Sequence, residues 1–228
     1  MLWLGHQKTA FFQATKQEQE EAINRLISQG TMRSGYYLLL LLATLIVTPG
    51  LFLNNFSVVI GGMLLAPLLI PLLSLSLSLV TGNVHGCLRS VTILSFSVLI
   101  AVTTSALLTF VLKHAYDVTL WYPDGISPGI YIFIAFCSGV AGAFAWVKED
   151  LAPAIAGVAT AVALLPPLCI AGIGLALWEV PLLRDSLVIF GANLLGIIVA
   201  AFLVFWVLGF LNSAKLEEKI IKEETQKK

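Results

Sequence analysis

Charge is what this sequence has least of. Aspartate, glutamate, lysine and arginine make up 11% of its 228 residues, against 58% hydrophobic residues. Soluble domains carry about 25% charged residues, so an ordinary water-soluble domain is excluded and a polytopic membrane protein remains. The few charges crowd into the first 33 and last 14 residues and a few short connections. No ionisable residue stands at the centre of an apolar block. A charge there costs about 2.5–3.5 kcal/mol on insertion scales, and carboxylates found at such depth mark proton relays. Their absence argues against an antiporter built on a buried Asp or Glu. Cysteine is scarce too. Cys87, Cys137 and Cys169 lie far apart with no CxxC or Cys/His spacing, which supports neither a zinc site nor a disulfide framework. His85 and His114 stand isolated in connections, and HExxH, GxSxG, a P-loop and a complete GxGxxG are all missing. An enzyme is not expected, nor is a cofactor, a metal or a nucleic-acid partner. Met1 to Arg33 lacks the apolar core of a signal peptide; Gly35–Leu53 is expected to act as its own uncleaved targeting signal.

What is present is a series of apolar blocks near the roughly 20 residues that a spanning helix requires. Six are placed at about 35–53, 56–81, 90–112, 129–147, 151–178 and 186–212. The expected fold is an all-α polytopic transmembrane helix bundle with three parts. Residues 1–33 form a cytosolic amphipathic segment, 34–212 the transmembrane domain, and 213–228 a charged cytosolic helix. In the first part, Thr15-Lys16-Gln17-Glu18 reads as a capping box. It opens a short helix that Gly30 ends, with Ala22, Ile23, Leu26 and Ile27 as its apolar stripe. That stripe is expected at the membrane surface or packed beneath the bundle. The last block is expected to run on as a helix into the cytosol through NSAKLEEKIIKEETQKK. In the connection at 113–128, Trp121 and Tyr122 suit the headgroup region.

With six spans, eleven lysines and arginines fall on the side of the two termini and two, Lys113 and Arg184, on the other. The positive-inside rule then places both termini in the cytoplasm, in a multi-pass protein of the cell (inner) membrane.

Two blocks are interrupted. Asn54–Asn83 carries no charge and is broken near its middle by Pro67 and Pro71; Leu151–Leu177 carries Pro166-Pro167 at a similar place. A proline in a helix interior removes a donor and clashes with the carbonyl four residues earlier, at a cost of about 3 kcal/mol. In hydrocarbon the freed carbonyls need partners, so such breaks survive where protein or trapped water satisfies them. The order plain span, broken span, plain span occurs twice, over about 35–112 and 129–212. Three spans per unit is odd, which turns the second unit upside down. Broken helices in corresponding positions of two inverted repeats are the mark of a transporter's binding site. The rival topology makes both broken blocks re-entrant hairpins and leaves four true spans.

The second block, VVIGGMLLAPLLIPLLSLSLSLVTGN, resembles the signature of the domain-of-unknown-function 389 family of prokaryotic hydrophobic membrane proteins. The matching positions are Val58 through Leu65, Pro67, Leu68 and Pro71, with Gly82-Asn83 and Arg89-Ser90 following in order. A second motif is matched by Gly157 through Leu165, then Pro166, Pro167, Leu168, Gly172 and Leu175-Ala176; Asn193 resembles the family's asparagine in the last span. Gly62 stands for the usual Ala. Asn83 stands for the usual Asp, which removes a carboxylate and weakens any cation-binding role there. The resemblance implies a membrane domain that many members carry beside a larger soluble domain, and no established activity.

The polar residues around the two breaks form the candidate binding set: Asn54, Asn55, Ser57, Gly61, Gly62, Pro67, Pro71, Ser74, Ser78, Thr160, Pro166, Pro167 and Asn193. Hydroxyls, amides and freed carbonyls there suit a small ion or solute. The alternative for each is hydrogen bonding between helices. The leading expectation is a transporter or channel, a homo-oligomer in the lipid bilayer. The alternative is a non-transporting scaffold or sensor working through partner proteins. Two small-residue stripes, Ala135-Gly139-Ala143 and Ala192-Gly196-Ala200, suit close helix packing, within the chain or between copies.

Overall fold

A computed structural model describes residues 14–29, 34–113, 128–148 and 153–226. Gly30 and the segment with Trp121 and Tyr122 lie outside them. The regular structure of the described residues is all helical: α1 (Lys16–Gln29), α2 (Ser34–Phe52), α3 (Phe56–Met63), α4 (Leu69–Thr81), α5 (Val84–Leu112), α6 (Pro128–Val147), α7 (Pro153–Leu177), α8 (Val180–Val207), a 3-10 turn at Phe210–Asn212, and α9 (Ala214–Gln226). Among the described residues, four helices are long and apolar enough to cross a membrane: Gly35–Phe52, Val84–Leu112, Gly129–Val147 and Val180–Val207. Their outward faces are apolar, as at Leu107, Val111, Phe133 and Leu195. That suits lipid.

Capping chemistry sets several boundaries. Thr15 N donates to Glu18 Oε2 at 2.7 Å and Glu18 N to Thr15 Oγ1 at 3.2 Å, the reciprocal pair of a capping box. Gly82, at φ 72, ends α4 in the left-handed region that favours glycine. Asn83 then caps α5, its Oδ1 accepting from Gly86 N. A capped start of this kind brings the first turn of α5 forward to Val84, earlier than the apolar pattern suggests. In the same way α8 begins at Val180, with a proline in its first turn. The expectation of one continuous helix into the C-terminal segment is not met. Gly209, at φ 88, stops α8 and turns the chain, so that α9 is a separate helix lying against α1 and α4.

Helix directions follow from pairs of contacts. Tyr36 Oη and Ser97 Oγ are 2.9 Å apart, and Thr48 Oγ1 donates to Ser105 Oγ at 3.1 Å; α2 and α5 therefore run parallel. The two small-residue stripes face each other within the chain. A Cβ on Gly139 would come within 2.8 Å of Ala200 Cβ and Ile197 Cα, and one on Gly196 within 2.9 Å of Ala135 Cβ and Ile132 O. Thus α6 and α8 are also parallel, and their backbones meet closely, as small residues permit.

At one end of the bundle α1 and α9 form a collar. The stripe Ala22, Ile23, Leu26 and Ile27 is buried with Leu69, Leu73 and Leu77 of α4, Val147 of α6 and Phe205 of α8. Polar contacts fix the rim. Arg89 Nη2, near the start of α5, donates to Ile27 O. Arg25 Nη2 donates to Trp146 O, Trp146 Nε1 to Ala22 O, and Lys148 Nζ meets Glu18 Oε1 at 2.9 Å. Ala14 N donates to Leu208 O. Helix α5 therefore starts at the collar, while α6 and α8 end there. Burial alone would push the Glu18 carboxyl up, but the Thr15 backbone N–H, Lys148 and the Thr15 hydroxyl hold it below its ordinary value. Its contribution is present above that ordinary value and is lost as pH falls through the lowered one.

Candidate functional site

Helix α3 runs antiparallel to α2 from its far end. A Cβ on Gly50 would meet Val59, and one on Gly62 would meet Val47 and Ala43 O, which places Gly62 at the level of the middle of α2. There the helix stops. Met63 O would pair in an unbroken helix with the N–H that Pro67 lacks; it accepts from Ala66 N instead, at 3.1 Å, and Gly62 O accepts from Leu65 N at the same distance. These tight turns satisfy the freed carbonyls that hydrocarbon would leave without partners. Helix α4 restarts at Leu69, so Pro71 lies in its first turn, where a backbone donor is not needed.

The break sits against α7. Met63, Ala66 and Leu68 share one buried cluster with Leu164, Leu165, Leu168 and Cys169, and both α3 and α4 touch α7. Pro166 and Pro167 are therefore beside the break, as the matched blocks suggest, but the helix is not interrupted at them. It continues from Pro153 to Leu177, clamped by close packing on its neighbours. A Cβ on Gly172 would lie 2.5 Å from Val102 O of α5, and one on Gly174 2.8 Å from Leu183 N of α8. Such clamping holds a helix together across lost hydrogen bonds.

Hydroxyls border this apolar junction. Thr48 Oγ1 donates to Ser105 Oγ, which donates to Cys169 O at 2.7 Å, a relay joining α2, α5 and α7. All three residues are fully buried. Ser105 is not among the residues expected from the sequence. The signal is a face of small polar residues on α5, Ser90, Ser97, Ser105 and Thr109, each buried.

The expected site residues do not converge on one point. Pro67, Pro166 and Pro167 lie along the junction, whereas Gly62 packs on Val47 and Ala43 O of α2. Asn54, Asn55 and Ser57 lie at the exposed far corner, where Asn54 takes φ 49 and Asn55 Oδ1 caps α3 by accepting from Ser57 N and Val58 N. Gly61 faces outward with nothing within 4 Å of an added Cβ. Ser74 is half-buried, whereas Ser76 is fully buried and donates to Leu72 O and Ile198 O. Ser78 is at the collar, not the junction, and donates to Glu217 Oε1 at 2.6 Å. Asn193 is buried in α8. Thr160 falls on α7, in a stretch whose side chains lie outside the description.

A family profile described as "Domain of unknown function (DUF389)" matches residues 63–199, more than half of the chain and both proline-bearing blocks. The chain belongs to the DUF389 family. A curated relative, the uncharacterized protein MJ0678 of Methanocaldococcus jannaschii, is 27% identical over 190 residues. The alignment covers 82% of this chain and 58% of that relative, so the chain spans little more than half of its length. No solved structure matches. Within DUF389, the matched stretch here begins at the helix break itself and ends in α8. The Asn83 that departs from the family pattern is the cap of α5. Asparagine and aspartate cap equally well.

Proposed function

We propose that this DUF389 protein is a transporter or channel for a small ion or solute, with its path at the junction of the α3–α4 break and α7. The observation that carries the reading is the meeting of the two proline-bearing segments in mid-bundle, beside the Thr48–Ser105–Cys169 relay. Helix ends left by a break carry partial charges, positive at the start of α4 and negative at the end of α3, and transporters use such ends near the midplane.

The topology we infer is six spans in two inverted three-span units. In each unit the first and third helices run parallel, so the middle segment must carry the chain back across. The α2/α5 pair points away from the collar and the α6/α8 pair towards it, which is the relation of inverted units. The collar side, rich in lysine and arginine, faces the cytoplasm. Leu68, Leu164, Leu165 and Leu168 fill the junction, the arrangement of a closed path. The rival scaffold or sensor would instead keep this core solid at all times and act through the collar.

Access from water distinguishes them. In a background with the three native cysteines replaced, Ala66→Cys and Leu68→Cys are expected to react with a membrane-impermeant maleimide. Leu107→Cys, on the outward face of α5, is expected not to. If all three stay inert under every ion tried, the path does not lie at the break.

A further inference from the structure

A carboxylate absent from every apolar block is present at the collar. Glu217 of α9 is 1% exposed, inserted against the last turn of α4 and the first turn of α5. Its Oε1 accepts from Ser78 Oγ at 2.6 Å, and its Oε2 is in short contact with Thr81 Oγ1. The close fit reaches Gly86, where an added Cβ would lie 2.7 Å from Glu217 Oε1. The contacts around Thr81 leave room for a proton on the carboxyl. Thr81 has one hydroxyl proton, yet Leu77 O and Ser78 O lie 3.1 and 3.3 Å from Oγ1, in addition to Glu217 Oε2. With a carboxyl proton on Oε2, Glu217 donates to Thr81, Thr81 to its own helix, and Ser78 to Glu217; without that proton the Thr81 hydroxyl donates to Oε2 instead.

We propose that Glu217 is a proton-binding site that latches α9 onto the collar end of α4, docked with the carboxyl protonated and loosened when the proton leaves. Among the described residues no cation pairs with it. From α5, Cys87 is the titratable side chain near it, His85 is exposed, and Arg89 is bound to Ile27 O. On α1, Lys16 and Glu20 are exposed and Glu18 is held by Lys148; on α9 itself, Glu218 and Lys219 face outward. Burial pushes the Glu217 carboxyl above its ordinary value, with Ser78, Thr81 and Asn83 pulling the other way. Asn83 Nδ2 is buried without a hydrogen-bond partner, so its pull is that of a nearby dipole and not of a formed bond. A raised carboxyl stabilises the docked state below its unfolded value, and that stabilisation is lost as pH rises through the raised one. The sign is opposite to that of Glu18. The latch holds whether or not the protein moves a solute.

Hydrogen exchange of the full chain in nanodiscs reads it, because amide protection reports local opening. Protection of α9 is expected to fall as pH is raised from about 5 to about 8, by up to about tenfold per unit for one linked proton. Glu217→Gln, which mimics the neutral carboxyl, is expected to keep α9 protected across that range. Thr81→Val is expected to lower the protection of α9 at the acid end. Flat or rising protection in the wild type, the same slope in Glu217→Gln, or a Thr81→Val profile identical to wild type overturns the proposal.

Discussion

Leucine in place of Gly139 or Gly196 is expected to abolish the folded bundle, and alanine to weaken it by about 1–3 kcal/mol. Between transmembrane helices there is no solvent to expel, so association rests on close van der Waals contact of small residues. A Cβ added to Gly139 would lie 2.8 Å from Ile197 Cα and 2.9 Å from Ile197 O of α8, and one added to Gly196 would lie 2.9 Å from Ile132 O of α6. These are main-chain atoms that no side-chain rotation moves. Even a methyl group forces α6 and α8 apart, and an isobutyl group leaves them no common surface. Both helices also reach the collar, through Val147 and Phe205, so the separation propagates to α1. Gly61→Ala and Gly191→Ala, which meet nothing within 4 Å, are the controls. Thermal unfolding in detergent checks the series. Gly139→Leu should lose its monodisperse peak, while the controls keep the midpoint of the wild type.

Leu26→Asp is expected to release α1 from the bundle. Leu26 and Ile23 are fully buried, among Leu73, Leu77, Phe205 and Phe210. A carboxylate at that place must be desolvated without a partner or be neutralised, a cost of several kcal/mol in proteins. That exceeds what a surface contact such as Glu18–Lys148 returns, about 0–1 kcal/mol. Trypsin reads the outcome, since Lys16 and Arg25 lie on α1. The variant is expected to be cut at both sites well before the wild type, whereas Asn24→Asp, on the exposed side of α1, is cut at the wild-type rate. Equal cutting of Leu26→Asp and wild type would mean that α1 is not held by this face.

The all-helical architecture was legible in the sequence because apolar length and proline position are local signals. So were the capping box at Thr15 and the apolar stripe of α1. What covers that stripe was not legible, since a lipid surface and the end of a bundle are equally apolar. The same limit applies to the stripes of Ala135 and Ala192, which proved to face one another. Pro166 and Pro167 misled for a different reason. A proline's local cost is fixed, but whether a helix breaks depends on neighbours such as the backbone against Gly172, and these are distant in sequence. Glu217 was hidden by its surroundings in AKLEEKIIKEE. A charged tail reads as solvated until Gly209 turns it back, and only the fold brings Ser78 and Thr81 to it. Ser78 was misassigned on the same account.

Flux through proteoliposomes tests the central claim, that the break against α7 is a path. The purified chain would be compared with Pro67→Ala and Pro166→Ala, and with empty vesicles, for a panel of small cations and anions. The account predicts that wild type moves at least one of them faster than empty vesicles do, and that both substitutions change that rate severalfold. A wild type no faster than empty vesicles for every ion, or equal flux in all three proteins, contradicts it.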